Sequence, residues 1–344
     1  MTKKIFLIIF LAFSLIVDAQ ETELTIKKKN QFRFDTTRIA DLSHLLAVYT
    51  NLSGKINSLD ISSINTENEL HIVPNGQTTV GLGFDYRWLG LSTSFSLPFM
   101  NKDDEFKGTT ERFDVQINYY NNSFGIDAYL NYYKGFFLDN ADDFMDWPFE
   151  NFPLLQGMET FAFGISSYYF FNNKKFSYKA AFTRTQMQKK SAGSFILGAY
   201  MNRNVAIAPD GVYPVELPDS LMNNFDIDGF SNTLIGITFG YTYTWVFLKR
   251  FFINLSLAPG VGYAQPEVST SLEDMKIEPT VSASITSRLS LGYEGKHLYM
   301  GFNLVAINHN FSYEPIEVSS TTGNLRFFIG KRFDISKLFK YTNP

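Results

Sequence analysis

The sequence contains no cysteine and only four histidines among 344 residues. The lack of cysteine excludes a disulfide-stapled miniprotein and any zinc or iron–sulfur site built on thiolates. An excess of positive charge is also missing, since 30 Lys and Arg stand against 34 Asp and Glu, a net charge of −4. No broad basic field therefore points to nucleic acid as a partner.

Long hydrophobic runs are scarce as well. Beyond the first twenty residues, no stretch reaches the ~18 consecutive apolar residues that a membrane-spanning helix needs. Aromatic side chains, in contrast, are abundant: 35 Phe, 19 Tyr and 3 Trp make up 17% of the chain. This aromatic content excludes a disordered, tail-like polypeptide.

The first twenty residues are typical of a secretory signal peptide. Lys3 and Lys4 precede an apolar run over 5–17, and the small residue Ala19 suits cleavage after it. The run is too short to be a spanning helix. We therefore expect residues 1–19 to be removed on export, with an uncleaved signal anchor as the alternative. A lipid-anchored lipoprotein is excluded because no cysteine follows the apolar run.

Large apolar residues alternate with polar or small ones through most of the remaining chain. In the stretch 233–247, the odd positions from Ile235 onward are large and apolar, whereas the even positions are mostly small or hydroxylic. Successive side chains of a strand point to opposite faces, so this pattern predicts long β-strands with one apolar face. The same alternation recurs over 79–88, 112–119, 124–133, 161–166 and 281–293.

Two architectures bury one face of every strand: a soluble sandwich and a transmembrane barrel whose apolar face meets lipid. Soluble strands usually have about 5 to 6 residues, whereas membrane-crossing strands need ~9 to 11. Many runs here reach that length, and aromatic residues gather near strand ends, as interfacial girdles require: Tyr86, Trp88, Tyr119, Tyr120, Tyr132, Tyr133, Tyr241, Tyr243 and Trp245. Together with the export signal, this favours an all-β, antiparallel up-and-down transmembrane barrel of about twelve to fourteen strands in the cell outer membrane.

The expected organisation is a signal peptide (1–19), a periplasmic lead-in (20–41), the barrel (42–333) and a C-terminal tail (334–344). Short turns of bacterial barrels normally lie on the periplasmic side. Here the predicted short turns change sides between residues 186 and 230, so either one strand there is miscounted or the N-terminal half carries longer links inside. The candidate strands are 42–51, 57–64, 76–88, 89–97, 110–121, 123–136, 159–171, 175–186, 193–203, 230–248, 250–263, 279–293, 296–310 and 322–333.

Groups that suggest catalysis are few. No sequence neighbourhood proposes a Ser–His pair or a metal site at any of the histidines: His44, His71, His297 and His309. One acidic loop carries oxygen ligands suited to calcium but lacks the glycine and terminal Glu of a calcium loop, so a solvated loop is favoured: Asp139, Asn140, Asp142, Asp143 and Asp146. We therefore predict no enzymatic activity, no cofactor and no metal.

Charged residues on the polar faces of the predicted strands are the best candidates for a functional site. They carry both signs and are expected to line the lumen: Asp85, Arg87, Arg112, Asp114, Asp127, Lys179, Arg288, Arg326 and Arg332. Two roles stay open, a salt-bridged filling that holds the barrel shut or a solute path whose lining sets selectivity. Expected partners are outer-membrane lipid, the barrel-assembly machinery and a small solute. The alternative function is a structural or scaffolding barrel that engages an envelope partner through its long loops.

Several segments in fixed order carry a further signal, and they lie at 71–76, 79–91, 133–138, 171–172, 175–182, 188–194 and 331–333. Together they resemble a Bacteroidota family of unknown function, domain-of-unknown-function family 4421. The resemblance implies an outer-membrane barrel of Gram-negative bacteria and brings no activity or site residues with it. The family pattern has Tyr-Arg before Pro74-Asn75, where this chain has Ile72-Val73, so that arginine is absent here.

Overall fold

The computed structural model describes residues 34–63, 68–76, 78–87, 89–96, 103–218, 227–269, 274–313 and 316–335. The predicted signal peptide and most of the lead-in and the tail lie outside these residues. The strands are β1 (Ile39–Asp41), β2 (Leu46–Ser63), β3 (Glu69–Pro74), β4 (Thr79–Tyr86), β5 (Leu89–Ser96), β6 (Glu111–Tyr120), β7 (Phe124–Leu138), β8 (Leu154–Phe170), β9 (Gln186–Gln188), β10 (Ala192–Ile207), β11 (Gly229–Phe247), β12 (Phe251–Ser269), β13 (Asp274–Lys276), β14 (Thr280–Glu294), β15 (Leu298–Tyr313) and β16 (Ile316–Phe333). The helical turns are α1 (Asp104–Lys107), a 3₁₀ turn (Ala141–Asp143) and α2 (Tyr178–Phe182). Within the described ranges, no helix is both long and apolar enough to cross a membrane.

Fourteen of these strands form one antiparallel sheet, and pairing of β16 with β2 closes it into a barrel. The predicted all-β antiparallel barrel is therefore confirmed, with a closed ring of ten strands within the sheet of fourteen. A continuous ring of ten strands closes through its pairings: β2, β3, β7, β8, β10, β11, β12, β14, β15 and β16. We call the end where β2 begins and β16 finishes the terminal end, and the opposite end the loop end.

β3 and β4 pair with successive parts of the same edge of β2. Residues 69–72 of β3 pair with the loop-end part of β2, and residues 79–85 of β4 pair with its terminal-end part. β3 pairs directly with β7, whereas β5 and β6 lie between β4 and β7 in the wall. Three strands thus take the place of one, so that twelve strands surround the interior at the terminal end.

The two faces of each long strand differ as the alternation predicts. On β11, Ile237 and Phe239 point outward and are 59% and 57% exposed, whereas Thr238 and Thr242 point inward and are buried. The neighbouring strands repeat this, so that the outside carries a broad apolar surface. An apolar outer band around a polar interior is the arrangement of a transmembrane barrel.

Three predicted segments are wrong. The segments 42–51 and 57–64 belong to one continuous strand, β2, and a further strand, β3, lies between the predicted strands 57–64 and 76–88. Segment 175–186 is not a wall strand, because it forms α2 and the first residue of β9. Without that strand, the short turns at 121–123, 248–250 and 295–297 all lie at the terminal end, so the change of sides came from the miscounted strand.

The link between β8 and β10, residues 171–191, folds back into the barrel and is called the inserted segment. Ser177 caps α2, its Oγ accepting a hydrogen bond from the Ala180 N–H at 3.1 Å. Phe176 and Tyr178 are buried inside the barrel against Phe170. β9 pairs with β1, so the N-terminal lead-in and the inserted segment fill the terminal end together.

Apolar side chains fill the loop end of the interior. Val212, Tyr213 and Leu217 come from the link between β10 and β11, and they cover inward-facing residues of the wall. We call this group the upper cluster, and its wall members include Leu59, Ile61, Leu70, Ile72, Phe136, Leu138, Phe230, Phe311 and Val318. The interior is therefore packed at both ends.

Candidate functional site

Arg288 and Asp127 form a charged bridge across the interior. Arg288 on β14 donates from Nη2 to Asp127 Oδ2 on β7 at 2.6 Å, and both side chains are at least nine-tenths buried. The guanidinium also donates to the Tyr120 and Tyr168 hydroxyls at 3.1 and 3.0 Å. Tyr120 in turn donates to Asp127. A bridge so fully hydrogen-bonded ties opposite walls together and bars the axis at this level.

A second charged group anchors the inserted segment to the wall. Arg184 donates from Nη2 to Ser290 Oγ at 3.2 Å and to Asn303 Oδ1 at 2.9 Å. Arg332 donates to the Arg184 carbonyl at 2.8 Å and pairs with the Glu294 carboxylate. Burial lowers the pKa of the Arg184 guanidinium to about 10, so the group stays cationic at neutral pH. These contacts make the inserted segment a fixed part of the barrel.

Between β5 and β6 the wall lacks the pairing that it has elsewhere. In the part of the chain that the structure describes, β5 pairs only with β4, and β6 pairs only with β7. Residues 54–58 of β2 pair with β16 but with no described strand on their other side. We call this break in the strand pairing of the described residues the side window.

A charged pair lies inside the side window. The Lys55 Nζ of β2 is 3.6 Å from Asp114 Oδ1 of β6, and both side chains keep partial exposure at 24% and 16%. The Tyr133 hydroxyl donates to the two Asp114 oxygens at 2.9 and 3.1 Å. Ser94 and Gln116 also occupy inward positions, yet both are exposed. The inner side of the window is therefore lined by polar side chains, and we call this region the polar hollow.

A small cavity lies between the wall and the inserted segment. Asp85 and Arg326 line it together with Arg184, and its volume of about 20 Å³ has room for roughly one water molecule. Arg326 Nε has no hydrogen-bond partner among the described residues. The other lining residues are Tyr49, Phe182, Tyr299, Asn303 and Phe328. The site is thus a cationic and aromatic recess with one carboxylate.

Of the nine residues predicted to line the lumen, two lie elsewhere than expected. Arg87 is exposed in the turn after β4, with a φ of 56°, because β4 ends before it. Lys179 lies on α2 of the inserted segment and not on a wall strand. The other seven occupy inward positions: Asp85, Arg112, Asp114, Asp127, Arg288, Arg326 and Arg332. Whether they guide a solute stays a prediction.

Two of the aromatic residues assigned to the interfacial girdles point inward. Tyr120 and Tyr133 are buried and bind Asp127 and Asp114, respectively. Adjacent residues of a strand lie on opposite faces, so only one member of each Tyr-Tyr pair can face the lipid.

Residues 33–333 match the family model described as a domain of unknown function, DUF4421. The chain belongs to this family. The match covers most of the DUF4421 chain, including the wall, the inserted segment and the side window, and it confirms the resemblance seen in the sequence. No curated protein matches this DUF4421 chain.

Among solved structures, the DUF4421 chain is similar to the following three. The outer-membrane protease OmpT of Escherichia coli is 8% identical, with a TM-score of 0.38 over 88% of this chain and 99% of that one. The toluene transporter TodX of Pseudomonas putida is 8% identical, with a TM-score of 0.27 over 88% and 93%. The attachment protein Ail of Yersinia pestis is 9% identical, with a TM-score of 0.21 over 84% and 99%.

The histidines of the DUF4421 chain are separated from one another. His71 pairs with Asp60 near the loop end, and the His309 Nε2 lies 2.9 Å from Asn202 Nδ2 inside the barrel. His44 and His297 are exposed. Within the described ranges, no group of three or more His, Asp or Glu side chains is placed to hold a metal ion. In the acidic loop, Asn140 is instead bound to the Glu69 carbonyl and to Asp143.

Sequence reasoning missed Lys55, Tyr133 and Arg184 as members of these polar groups. Lys55 belongs to a stretch read as the link between two short strands, and Arg184 to a stretch read as a wall strand. Tyr133 was assigned to the lipid interface. A cation at position 55 within an otherwise alternating run was the one available signal.

Proposed function

We propose that this protein is a barrel of the outer membrane that is closed along its axis and binds a small solute in the polar hollow behind the side window. The chain is exported by a signal peptide that is cleaved after Ala19. Part of its lead-in lies inside the barrel as β1. Bound lipid and the assembly machinery are its further partners. Its role is binding rather than catalysis, and we place it in Gram-negative Bacteroidota on its resemblance.

One observation supports the proposal that the interior is blocked along the barrel axis. The Arg288–Asp127 bridge joins β14 to β7 across the interior, and it lies between the upper cluster and the inserted segment. A continuous aqueous path would have to break this buried ion pair and also displace packed apolar side chains. Breaking such a pair is costly, because each charge loses its partner in a medium of low dielectric constant.

Single-channel recording in planar lipid bilayers tests the closed axis. Folded protein, verified by its heat-modifiable migration on a gel, should insert without producing stepwise conductance, whereas an open porin in the same bilayers gives steps. Regular steps from the wild-type protein would contradict the proposal. A silent barrel that also binds no solute would favour the scaffolding alternative.

A further inference from the structure

The two ends of the barrel differ in the charge of their exposed side chains. Exposed carboxylates gather at the loop end: Asp139, Asp142, Asp143, Asp146, Glu150, Asp210 and Glu216. Exposed cations gather at the terminal end: Arg87, Lys174, Lys175, Lys189, Lys190, Lys249, Arg250, Lys296 and Lys331. Since the whole chain has 34 Asp and Glu against 30 Lys and Arg, these cations do not follow from its composition.

The cations of the terminal end are concentrated on one side of the barrel. Eight of them belong to the links and strand ends from β8 round to β16, and we call this arc the basic rim: Lys174, Lys175, Lys189, Lys190, Lys249, Arg250, Lys296 and Lys331. On the opposite side, the turn at 121–123 is neutral and the turn after β4 contributes Arg87 alone. The positive charge therefore has a direction around the barrel.

Hydrogen bonds hold parts of the basic rim in place. The Lys189 Nζ donates to the Thr36 carbonyl at 2.9 Å, and the Asp35 N–H donates to the Lys174 carbonyl at 2.8 Å. Arg250 donates from Nη1 to the Tyr293 hydroxyl at 2.8 Å. The basic rim is thus a fixed feature of the folded barrel.

The protein supplies few anions to this arc. Within the described ranges, none of the eight cations forms a salt bridge, and the carboxylates beside them are Asp35 and Asp334. Asp35 already accepts hydrogen bonds from the Thr37 N–H and hydroxyl at 2.9 and 2.6 Å. By sequence, residues 20–33 carry four Lys and Arg against two Glu, so they add no net negative charge. Uncompensated cations at a surface favour an anionic partner.

Aromatic side chains lie on the outer face of the wall above the basic rim. Tyr169 and Phe171 at the end of β8 are exposed, and their rings meet edge to face with centroids 5.1 Å apart. On β11, Trp245 is exposed and packs against Tyr243. Exposed aromatic rings of a membrane barrel lie at the level of the lipid head groups. The cations lie just beyond these strand ends, so they are placed to meet head groups rather than hydrocarbon.

We propose that the basic rim binds the head groups of anionic phospholipids in the leaflet that surrounds the terminal end. Lysine side chains extend from a strand end to the head-group level and attract negative charge there without a fixed geometry. Each cation close to an anionic leaflet adds to this attraction. The inference rests on the proposed place of the barrel in the membrane and names the bound lipid, and it does not depend on the closed axis.

Quenching of Trp245 by brominated phospholipids tests the proposal. W88F and W147F together leave Trp245 as the only indole of the protein. The full chain is folded into phosphatidylcholine vesicles that contain the same fraction of either brominated phosphatidylglycerol or brominated phosphatidylcholine. We expect the anionic lipid to quench as though it were enriched roughly threefold beside Trp245, and the enrichment to disappear in about 0.5 M salt, which screens the charges.

Paired substitutions locate the effect on the basic rim. K174Q/K175Q and K189Q/K190Q should each reduce the enrichment by about half or more, because each pair removes two of its cations. R87Q/K107Q is the matched control, since it removes two cations that lie outside the basic rim, and it should leave the enrichment unchanged. Heat-modifiable migration on a gel shows that each variant is folded.

Equal quenching by the two brominated lipids before any rim substitution would overturn the inference, and so would an enrichment that the rim substitutions leave unchanged. Binding of an octaglutamate peptide to the rim without any preference for phosphatidylglycerol would assign this surface to an acidic polypeptide instead. Protection of Trp245 from both lipids would refute the membrane location itself. Stepwise conductance would refute the closed axis and leave the lipid site standing.

Discussion

Two parts of the barrel wall differ in how completely their strands are paired and in how far their inward side chains are buried. β11 and β12 each have 19 residues and are paired along nearly their whole length, whereas β5 and β6 have 8 and 10 residues and each pairs on one edge only within the described ranges. Inside the regular wall, Thr242 and Asn254 are completely buried, and Asn254 Nδ2 donates to Thr242 Oγ1 at 3.0 Å. At the window, the equally inward Ser94 and Gln116 are exposed. The regular wall is paired and packed throughout, and in the proposed function the polar interior is reached from the irregular wall.

The largest effect on stability is expected at the Arg288–Asp127 bridge, which joins β14 to β7 across the interior. Arg288→Met leaves the Asp127 carboxylate buried without its cation, so the free energy of unfolding should fall by about 3 to 5 kcal/mol. Urea unfolding of the protein in lipid vesicles measures this change.

The matched control is the double substitution Arg288→Met with Asp127→Leu. Removing both charges restores an apolar contact, and the double variant should recover more than half of the lost stability. A double variant that is less stable than Arg288→Met would show that the ion pair is not what joins these walls.

A second comparison places one charge on the outer face of each wall. Ile237→Arg puts a guanidinium into lipid in the middle of β11 and should cost ~2 to 4 kcal/mol of folding free energy. Phe113→Arg, at the rim of the window, should cost roughly 1 kcal/mol or less, since the polar hollow is within reach of the longer side chain. Folding titrations into vesicles measure both, and equal costs would remove the distinction between the walls.

The smallest effects come from adding one methyl group to each wall. A Cβ at Gly236 would lie 2.4 Å from the Tyr200 hydroxyl and 2.6 Å from the Val261 carbonyl oxygen, so Gly236→Ala should destabilise by ~1 to 3 kcal/mol. At Gly54 nothing lies within 4 Å, and Gly54→Ala should change stability by less than about 0.5 kcal/mol. Thermal unfolding of the two variants ranks them, and a larger loss at Gly54 would mean that the window is packed.

The regular wall could be predicted from the sequence because its information is local. Period-two alternation around Ile237 assigns each side chain to a face, and a strand of that length needs no knowledge of its partners. The same reasoning failed at the inserted segment. Phe176, Tyr178, Ala180 and Phe182 alternate as a strand would, yet the Ser177 cap and burial against Phe170 make this stretch helical.

For the candidate site, the sequence predicts which types of residue point inward but not which of them meet. Charged inward positions such as Asp127 and Arg288 were visible, but they are 161 residues apart, and nothing local indicates that they meet. The window depends on which strand edges remain unpaired, a property of long-range pairing rather than of any single segment. Arg87 was misplaced because the alternation does not show where β4 ends.

Thiol accessibility tests the central claim most directly, since the chain has no cysteine of its own. Gln116→Cys and Thr242→Cys each place one thiol at an inward position, the first at the side window and the second inside the regular wall. Reaction of the detergent-solubilised barrels with a charged methanethiosulfonate should modify Cys at position 116 rapidly and leave Cys at position 242 unmodified until the protein is unfolded. Equal modification of both folded variants would show that the interior is open along its axis and would contradict a barrel accessible only from its side.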